Sequence, residues 1–269
     1  MTGLPRQAND PPTLMNFSVH RFDSIDSTNT EALKHARRGA DEGTCIIARQ
    51  QTAGRGRQGR IWTAPRDAGL YLSIVLRPRL DAKYLPLITL AAAVAVFDTL
   101  AQLGIDADIK WPNDILVYEK KICGILAETT ETERGLAVIV GIGINLTSQN
   151  FPSELMDTAT SLESVLNRPV TFSELEEPLL KYFDHWYSRL HEPDGASTII
   201  PEWGSRSTYF HGKQVRVMLT NETITGVTDG LDTNGALRVK KVNGELAIVQ
   251  AGDVERVRPS EKIRTGQFD

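Results

Sequence analysis

The segment ILVYEKKICGILAETTETERGLAVIVGIGINL, residues 115–146, contains three apolar runs separated by short polar turns. The runs are ILVY, ICGILAE and LAVIVGIGINL, and the turns EKK and TERG lie between them. Runs rich in β-formers and joined by such short turns are typical of antiparallel strands, because parallel strands need a much longer crossover connection. The segment therefore predicts an antiparallel meander.

The residues before the meander alternate between strand patterns and helix patterns. Strands are predicted at FSVHRFD (17–23), TCIIARQ (44–50) and LYLSIVL (70–76). A first helix, EALKHARR, is predicted with Thr28 and Glu31 as a capping box and Gly39 as its end. A second helix runs from Lys83 to about Leu103, where Gly104 stops it.

Helical patterns return after the meander, at about 172–190 and 197–204, and are then replaced by a pattern of short strands. Beyond Phe210 come the short strand-like runs KQVRVMLT, TITGVTDGL, GALRVK, ELAIVQ and VERVR, with Asn-Gly pairs between some of them. The sequence thus predicts an α+β fold, in which helices pack on a sheet, followed by a small β-barrel. The expected division is a flexible arm at 1–16, a main domain at 17–209, and the barrel with its tail at 210–269.

Composition excludes several classes of protein. Of the 269 residues, 41% are hydrophobic and 24% are charged, so a disordered chain is excluded. The net charge of −4 argues against a protein that coats nucleic acid. Two cysteines without CxxC spacing argue against a disulfide framework or a zinc site. No signal peptide is evident and the apolar stretch 87–97 is short for a bilayer, so a cytoplasmic protein is expected.

The loop GRGRQGR, residues 54–60, follows the second predicted strand. Its glycines spell GxGxxG, but a dinucleotide site needs a helix there, and IWTAPR with Pro65 makes a helix improbable. The chain also lacks the HRD and DFG triplets of kinases and the Walker A motif. Two interpretations remain: a solvated hairpin, or a clamp whose arginines bind phosphate or carboxylate oxygens as bidentate donors.

A second stretch, KWPNDILV at 110–117, favours the clamp. Lys110 follows the β-like ADI and is therefore predicted at the end of a strand. Pro112, Asn113 and Asp114 favour a turn, since proline cannot continue a ladder of hydrogen bonds. Gly124 interrupts a β run, as glycine does where a ligand or another backbone comes close.

Five motifs together resemble biotin protein ligases in order and spacing: STNTEA (27–32), QTAGRGRQGRIW (51–62), KWPNDILV, KICGIL (121–126) and VGIGINL (140–146). The resemblance covers roughly residues 17–258. It implies a class II synthetase-like core and an SH3-like C-terminal barrel. It also implies an enzyme that converts biotin and ATP, with Mg²⁺, to biotinyl-5′-AMP, and that then biotinylates one lysine of a biotin carboxyl carrier domain.

The same resemblance assigns residues to roles. It implies Lys110, Arg55 and Arg57 as catalytic cations, with GRGRQGR closing over the adenylate. The biotin-binding set it implies comprises Ser27, Thr28, Asn29, Gln51, Arg55, Gly56, Arg57, Lys110 and Gly124. The ATP-binding set comprises Arg55, Arg57, Arg60, Trp62, Asn113 and Asn145, with Trp62 stacking on adenine and Asn145 meeting the nucleotide or metal. Metal ligands are not assigned.

Repressor members of this family carry a winged-helix domain of some sixty residues before the STN segment, and only 26 residues precede Ser27 here. An enzyme without DNA binding is therefore expected. A monomer or a homodimer is expected as its oligomeric state. The alternatives are a lipoate-protein ligase, whose RRxSGGGAVYH-like stretch is missing from the sequence, a nucleic-acid-binding module, and an inactive relative that only binds biotin.

Overall fold

The structure is a computed structural model that describes residues 15–149 and 151–256. Its larger sheet has seven strands: β1 (Ser18–Phe22), β2 (Thr44–Ala48), β3 (Gly69–Leu76), β4 (Asp108–Lys110), β5 (Asp114–Val117), β6 (Lys120–Thr132) and β7 (Gly135–Asn145). They lie in the order β1-β2-β3-β7-β6-β5-β4. β1 and β2 pair in parallel, and the other five pairs of neighbours are antiparallel. The predicted mixed, largely antiparallel sheet is confirmed.

The predicted meander is β5, β6 and β7, which are neighbours both in sequence and in the sheet. β6 is longer than the pattern predicts, because its threonines continue the pairing with β7 as far as Thr132 and Gly135. β-branched threonine suits a pleated strand. Tyr118 instead leaves the strand, because it and Glu119 form the turn with φ of 51° and 63°.

Helices lie on both faces of this sheet: α1 (Thr28–Arg37), α2 (Pro86–Gln102), α3 (Leu162–Leu166), α4 (Phe172–Leu190) and α5 (Gly195–Ser205). α1 packs Ala32 and Ala36 against Ile46, Val75 and Ile139 on one face. The main core lies on the other face, where α2 is sandwiched between the sheet and α4. By length and composition alone, the stretch Ala82–Gln102 is the one described helix that could cross a membrane, but most of it is buried inside the protein.

Two predicted helix starts are wrong. Thr28 and Glu31 form no capping box, because Ser27 is the N-cap and Thr28 is the first helical residue. The Thr28 hydroxyl instead makes tertiary hydrogen bonds, and Glu31 pairs with Lys34. The second helix begins at Pro86 and not at Lys83, since proline lacks the N–H that a preceding helical turn would require and suits the first position of a helix.

The smaller sheet is antiparallel and contains β8 (His211–Met218), β9 (Thr223–Leu231), β10 (Leu237–Lys241), β11 (Leu246–Val249) and β12 (Asp253–Arg256), in the order β11-β10-β9-β8-β12. The predicted small C-terminal β-structure is thus confirmed. It meets the larger unit where Trp111 Nε1 donates to Gly235 O at 3.0 Å. The boundary at 209 stays a prediction. Residues 1–14 of the predicted arm, and the end of VERVR with the predicted tail, lie outside the described residues.

Candidate functional site

One row of paired residues crosses five strands and places GRGRQGR and KWPND over the same part of the sheet. From β3 to β4 the row is Tyr71, Gly143, Gly124, Asp114 and Lys110. Directly paired residues point to the same face of a sheet, so the five share one face. The row brings together Lys110 and Gly124, which the sequence named separately, and it ends at Lys110 as the last residue of its strand.

Two cavities open above this row. The first has a volume of about 140 Å³, and the predicted residues that line it are Ser27, Thr28, Asn29, Gln51, Arg55, Gly56, Arg57, Arg60, Trp62, Asn113 and Gly124. The second has a volume of about 540 Å³ and contains the other two predicted residues, Lys110 and Asn145. Trp62, Ile61, Asp114 and Lys121 line both cavities and form the wall between them. The predicted set is therefore divided between two adjoining spaces.

A polar corner, which we define as Ser27, Thr28, Asn29 and Gln51, forms one end of the first cavity. The corner lies at the start of α1, where the helix meets the loop that follows β2. Thr28 N donates to Gln51 Oε1 at 2.7 Å, and Thr28 Oγ1 lies 3.1 Å from the same Gln51 oxygen. Ser73 of β3 is fully buried beneath the corner and contacts both Thr28 Oγ1 and Asn29 Oδ1. The corner is thus held in place by groups of the protein itself.

The loop 54–60, which we call the flap, folds as a hairpin over the same cavity. Gly56 N donates to Arg60 O at 2.7 Å, and Trp62 N donates to Gly54 O at 2.9 Å. A short 3₁₀ turn, Arg57–Gly59, forms the tip, with Gln58 at φ 56° and Gly59 at φ 75°. The absence of a helix start at Gly59, expected from IWTAPR, is confirmed within the described residues.

Each flap arginine has a polar partner. Arg55 Nη2 donates to Glu128 Oε2 at 2.6 Å. Arg57 Nη1 donates to Asn113 Oδ1 at 3.1 Å, and burial lowers the pKa of Arg57 from its usual high value. Arg60 pairs with Asp253 of β12. The smaller sheet therefore lines the first cavity through Asp253, a contact that strand patterns alone do not indicate.

The Trp62 ring lies against Gly143 and Gly124, a part of the sheet that has no side chains. A Cβ atom added at Gly143 would come within 2.7 Å of the ring, and one at Gly124 within 2.9 Å. Lys121 also contacts this ring, and its Nζ lies 5.4 Å from the ring centroid. The paired glycines of β6 and β7 thus make the space that this tryptophan occupies.

Two lysines and four acidic residues are among the side chains that line the second cavity. Lys110 is half-buried, and burial lowers its pKa, while the nearby Asp114 carboxylate opposes that shift. Lys121 Nζ lies 2.6 Å from Asp114 Oδ1, so one carboxylate faces two lysines. Asn145 is held by donating to Thr160 O at 3.0 Å. Asp114 and Lys121 were not among the predicted site residues, although both stand inside the quoted motifs KWPND and KICGIL.

Comparisons with known proteins identify the family of the chain. A model of the Biotin/lipoate A/B protein ligase family matches residues 21–145, and a model of the Biotin protein ligase C terminal domain matches residues 210–257. The Bifunctional ligase/repressor BirA of Bacillus subtilis is 38% identical over 237 residues, which are 87% of this chain and 72% of that protein. The Biotin--[acetyl-CoA-carboxylase] ligase of Mycobacterium tuberculosis is 33% identical over 240 residues, 86% of each chain.

Among solved structures, the biotin protein ligase from Aquifex aeolicus in complex with biotin and ATP superposes with a TM-score of 0.78 at 28% identity. The match covers 89% of this chain and 99% of that one. The family models, the relatives and the fold agree, and the chain belongs to the biotin protein ligase family.

Proposed function

We propose that this protein is a biotin–[biotin carboxyl carrier protein] ligase, which activates biotin with ATP to biotinyl-5′-AMP and transfers biotin to a lysine of a carrier domain. The observation that carries the proposal is the joining of the polar corner, the arginine flap and Lys110 around two adjacent cavities. The corner supplies hydroxyl and amide groups suited to the polar ureido edge of biotin. The cations at the other end suit the phosphates of ATP.

The first step joins two anions, because the biotin carboxylate attacks the α-phosphorus while pyrophosphate leaves. Positive groups that are already aimed at the developing charge give the largest stabilisation available. Arg57 at the flap tip and Lys110 at the end of β4 supply such charge from opposite sides of the Trp62 wall. Arg55 supports the same step from the flap, and Arg60, Asn113 and Asn145 are proposed to meet the nucleotide.

Mg²⁺ fits this site as a companion of ATP. Among the described residues, no group of three or more His, Cys, Asp or Glu side chains forms a metal cage. Mg²⁺ commonly binds through phosphates, water and one or two carboxylates, so a cage is not needed. Asp114 lines both cavities, and it is the carboxylate that we propose to complete that set. The ion would supply charge neutralisation on the phosphates.

The flap is proposed to keep water from the reactive adenylate until the acceptor lysine arrives. The glycines in GRGRQGR allow the loop to move, and its arginines hold it to anionic groups when it closes. Trp62 is proposed to stack on adenine after leaving or turning within its glycine patch. A cytoplasmic location, a monomeric or homodimeric state, and the absence of DNA binding, supported by the net charge of −4, remain part of the proposal.

The test is incubation of the protein with ATP, Mg²⁺ and radiolabelled biotin, with and without a carrier domain, beside parallel reactions with labelled lipoate. We expect label on the carrier from biotin only, and biotinyl-5′-AMP when the carrier is omitted. Transfer of lipoate but not biotin would replace the proposal with a lipoate ligase. Biotin binding without adenylate would identify an inactive relative, and tight salt-sensitive binding of DNA or RNA would indicate the nucleic-acid module.

A further inference from the structure

A connected chain of hydrogen bonds runs through six polar residues from the polar corner to the flap, and its first link is made by the backbone N–H of Thr28. It passes in order through Gln51, Thr28, Ser73, Asn29, Glu128 and Arg55. Four of these residues belong to the proposed ligand and catalytic set. The other two have no role in the proposed chemistry: Ser73 links the side chains of Thr28 and Asn29, and Glu128 links Asn29 to Arg55.

Ser73 is a polar residue within a strand whose eight residues are all buried. Its Oγ lies 2.8 Å from Thr28 Oγ1 and 2.6 Å from Asn29 Oδ1. A hydroxyl has one hydrogen to donate, and an amide oxygen can only accept. The Ser73 hydrogen is therefore directed to Asn29, which leaves the Ser73 oxygen to accept from the Thr28 hydroxyl.

The orientation of Asn29 is fixed by its other contacts. Asn29 Nδ2 donates to Leu126 O at 3.2 Å and to Glu128 Oε2 at 2.8 Å, and both partners are acceptors. Reversing the amide would place its oxygen against both acceptors and lose these bonds. The donors are thus fixed from Thr28 to Glu128: Thr28 donates to Ser73, Ser73 donates to Asn29, and Asn29 donates to Glu128.

Glu128 joins this chain to the flap through a single atom. Its Oε2 accepts from Asn29 Nδ2 and from Arg55 Nη2, the latter at 2.6 Å. The carboxylate is 26% exposed and the arginine 39%, so the pair is partly shielded from water. A charge-assisted bond of this kind is stronger than a bond between neutral groups. A change in position at Asn29 must therefore also change the bond that holds Arg55.

We infer that Glu128 is a positioning residue that couples the polar corner to the flap, with Ser73 as the buried link. Resting on the proposed function, this means that binding of the ureido group by the corner and ordering of the flap through Arg55 occur as one event. A bond made at Thr28 or Asn29 stiffens the chain, and the chain holds the arginine whose loop covers the ligand.

The test measures coupling between the two ends of the chain. Biotin affinity is determined by calorimetry for Ser73→Ala, Arg55→Ala and the double variant, first in the parent protein and then in a Glu128→Ala background. In the parent we expect each change to weaken biotin binding about 10-fold, and the double variant to fall short of the product of the two effects by at least 3-fold. In the Glu128→Ala background the two effects should multiply.

Trypsin cleavage after Arg55, Arg57 or Arg60 reports on the flap directly. Biotin should protect these bonds in the parent and in the control Glu131→Ala, which alters an exposed carboxylate three residues along the same strand. Protection should be lost in Glu128→Ala and partly kept in Glu128→Gln, which retains one side-chain oxygen as an acceptor and also serves if the alanine variant does not fold.

Effects that multiply in the parent, or protection in both Glu128 variants equal to that of Glu131→Ala, would overturn the inference. A parent protein that does not bind biotin would instead contradict the proposed function, so the two failures are distinguishable.

Discussion

The two cavities differ in how their polar groups are held. In the first, Thr28, Asn29 and Gln51 are connected to one another and to the sheet by hydrogen bonds within the protein. In the second, Lys110 and Lys121 face a common carboxylate, Asp114, and Lys110 has a pKa lowered by burial. The first cavity is therefore built for geometric recognition, while the second holds charge in a poorly solvated place. Recognition and chemistry should respond to different substitutions.

Lys110→Ala should have the largest effect. Loss of one preorganised cation at a developing charge reduces the rate of adenylate formation by about 10²–10³-fold. Biotin affinity should change by less than about 3-fold, because the polar corner is intact. Single-turnover adenylate formation and calorimetry measure the two quantities. Lys181→Ala, which removes an exposed lysine on α4, is the control, and an equal loss of rate and affinity would erase the distinction between the cavities.

Thr28→Val should have the converse effect. The substitution preserves shape but removes the hydroxyl that lies between Gln51 and Ser73, so the buried Ser73 oxygen loses its hydrogen-bond donor. We expect biotin affinity to fall about 10-fold or more, with the rate of adenylate formation at saturating biotin reduced less. Unchanged affinity would show that the corner does not recognise biotin.

Gly143→Ala should act through Trp62. The new methyl group would meet the indole ring and displace it, which moves the wall between the cavities. We expect KM for ATP to rise about 5–10-fold with a small change in melting temperature. The control is the same change in a Trp62→Ala background, where the effect should vanish. If Gly143→Ala still raised KM for ATP in the Trp62→Ala background, the cause would be a distortion of the sheet and not a displacement of Trp62.

Asp114→Asn should shift the alkaline side of the pH profile. Lys110 acts while protonated, so adenylate formation declines as pH rises through its pKa, which burial lowers and Asp114 raises. Removal of the carboxylate lowers that pKa further and should move the decline to lower pH. Lys110→Arg should move it to higher pH, because guanidinium remains charged. If the decline in adenylate formation occurs at the same pH in both variants as in the parent, Lys110 is excluded as the titrating group.

Asp253→Asn should have the smallest effect. Its pair with Arg60, which is 62% exposed, joins the flap to the smaller sheet, and exposed ion pairs contribute only about 0–1 kcal/mol. We expect release of the adenylate to rise less than about 5-fold and the difference to disappear at high salt. A larger, salt-independent change would show that the smaller sheet does more than hold the flap.

Local patterns in the sequence predicted most of the fold. Each of the three runs in the meander became a strand, and Lys110 stands at the end of β4 as expected. Local reasoning was wrong for Thr28, because a capping pattern describes only neighbours in sequence, whereas Ser73 lies 45 residues away. Glu128 and Asp253 were missed for the same reason. The role of Glu128 depends on strand pairing, and the role of Asp253 depends on contact between the two sheets. Neither kind of contact produces a periodic pattern in the sequence.

The row Tyr71, Gly143, Gly124, Asp114 and Lys110 carries a consequence for how the site can change. Where a pocket is shaped by large side chains, trimming one of them admits a bulkier ligand. Here the floor under Trp62 is already bare backbone at positions 124 and 143, so substitution there can only remove space. Engineering toward larger acyl substrates must therefore begin at the rim, in the flap or the polar corner, and leave the floor untouched.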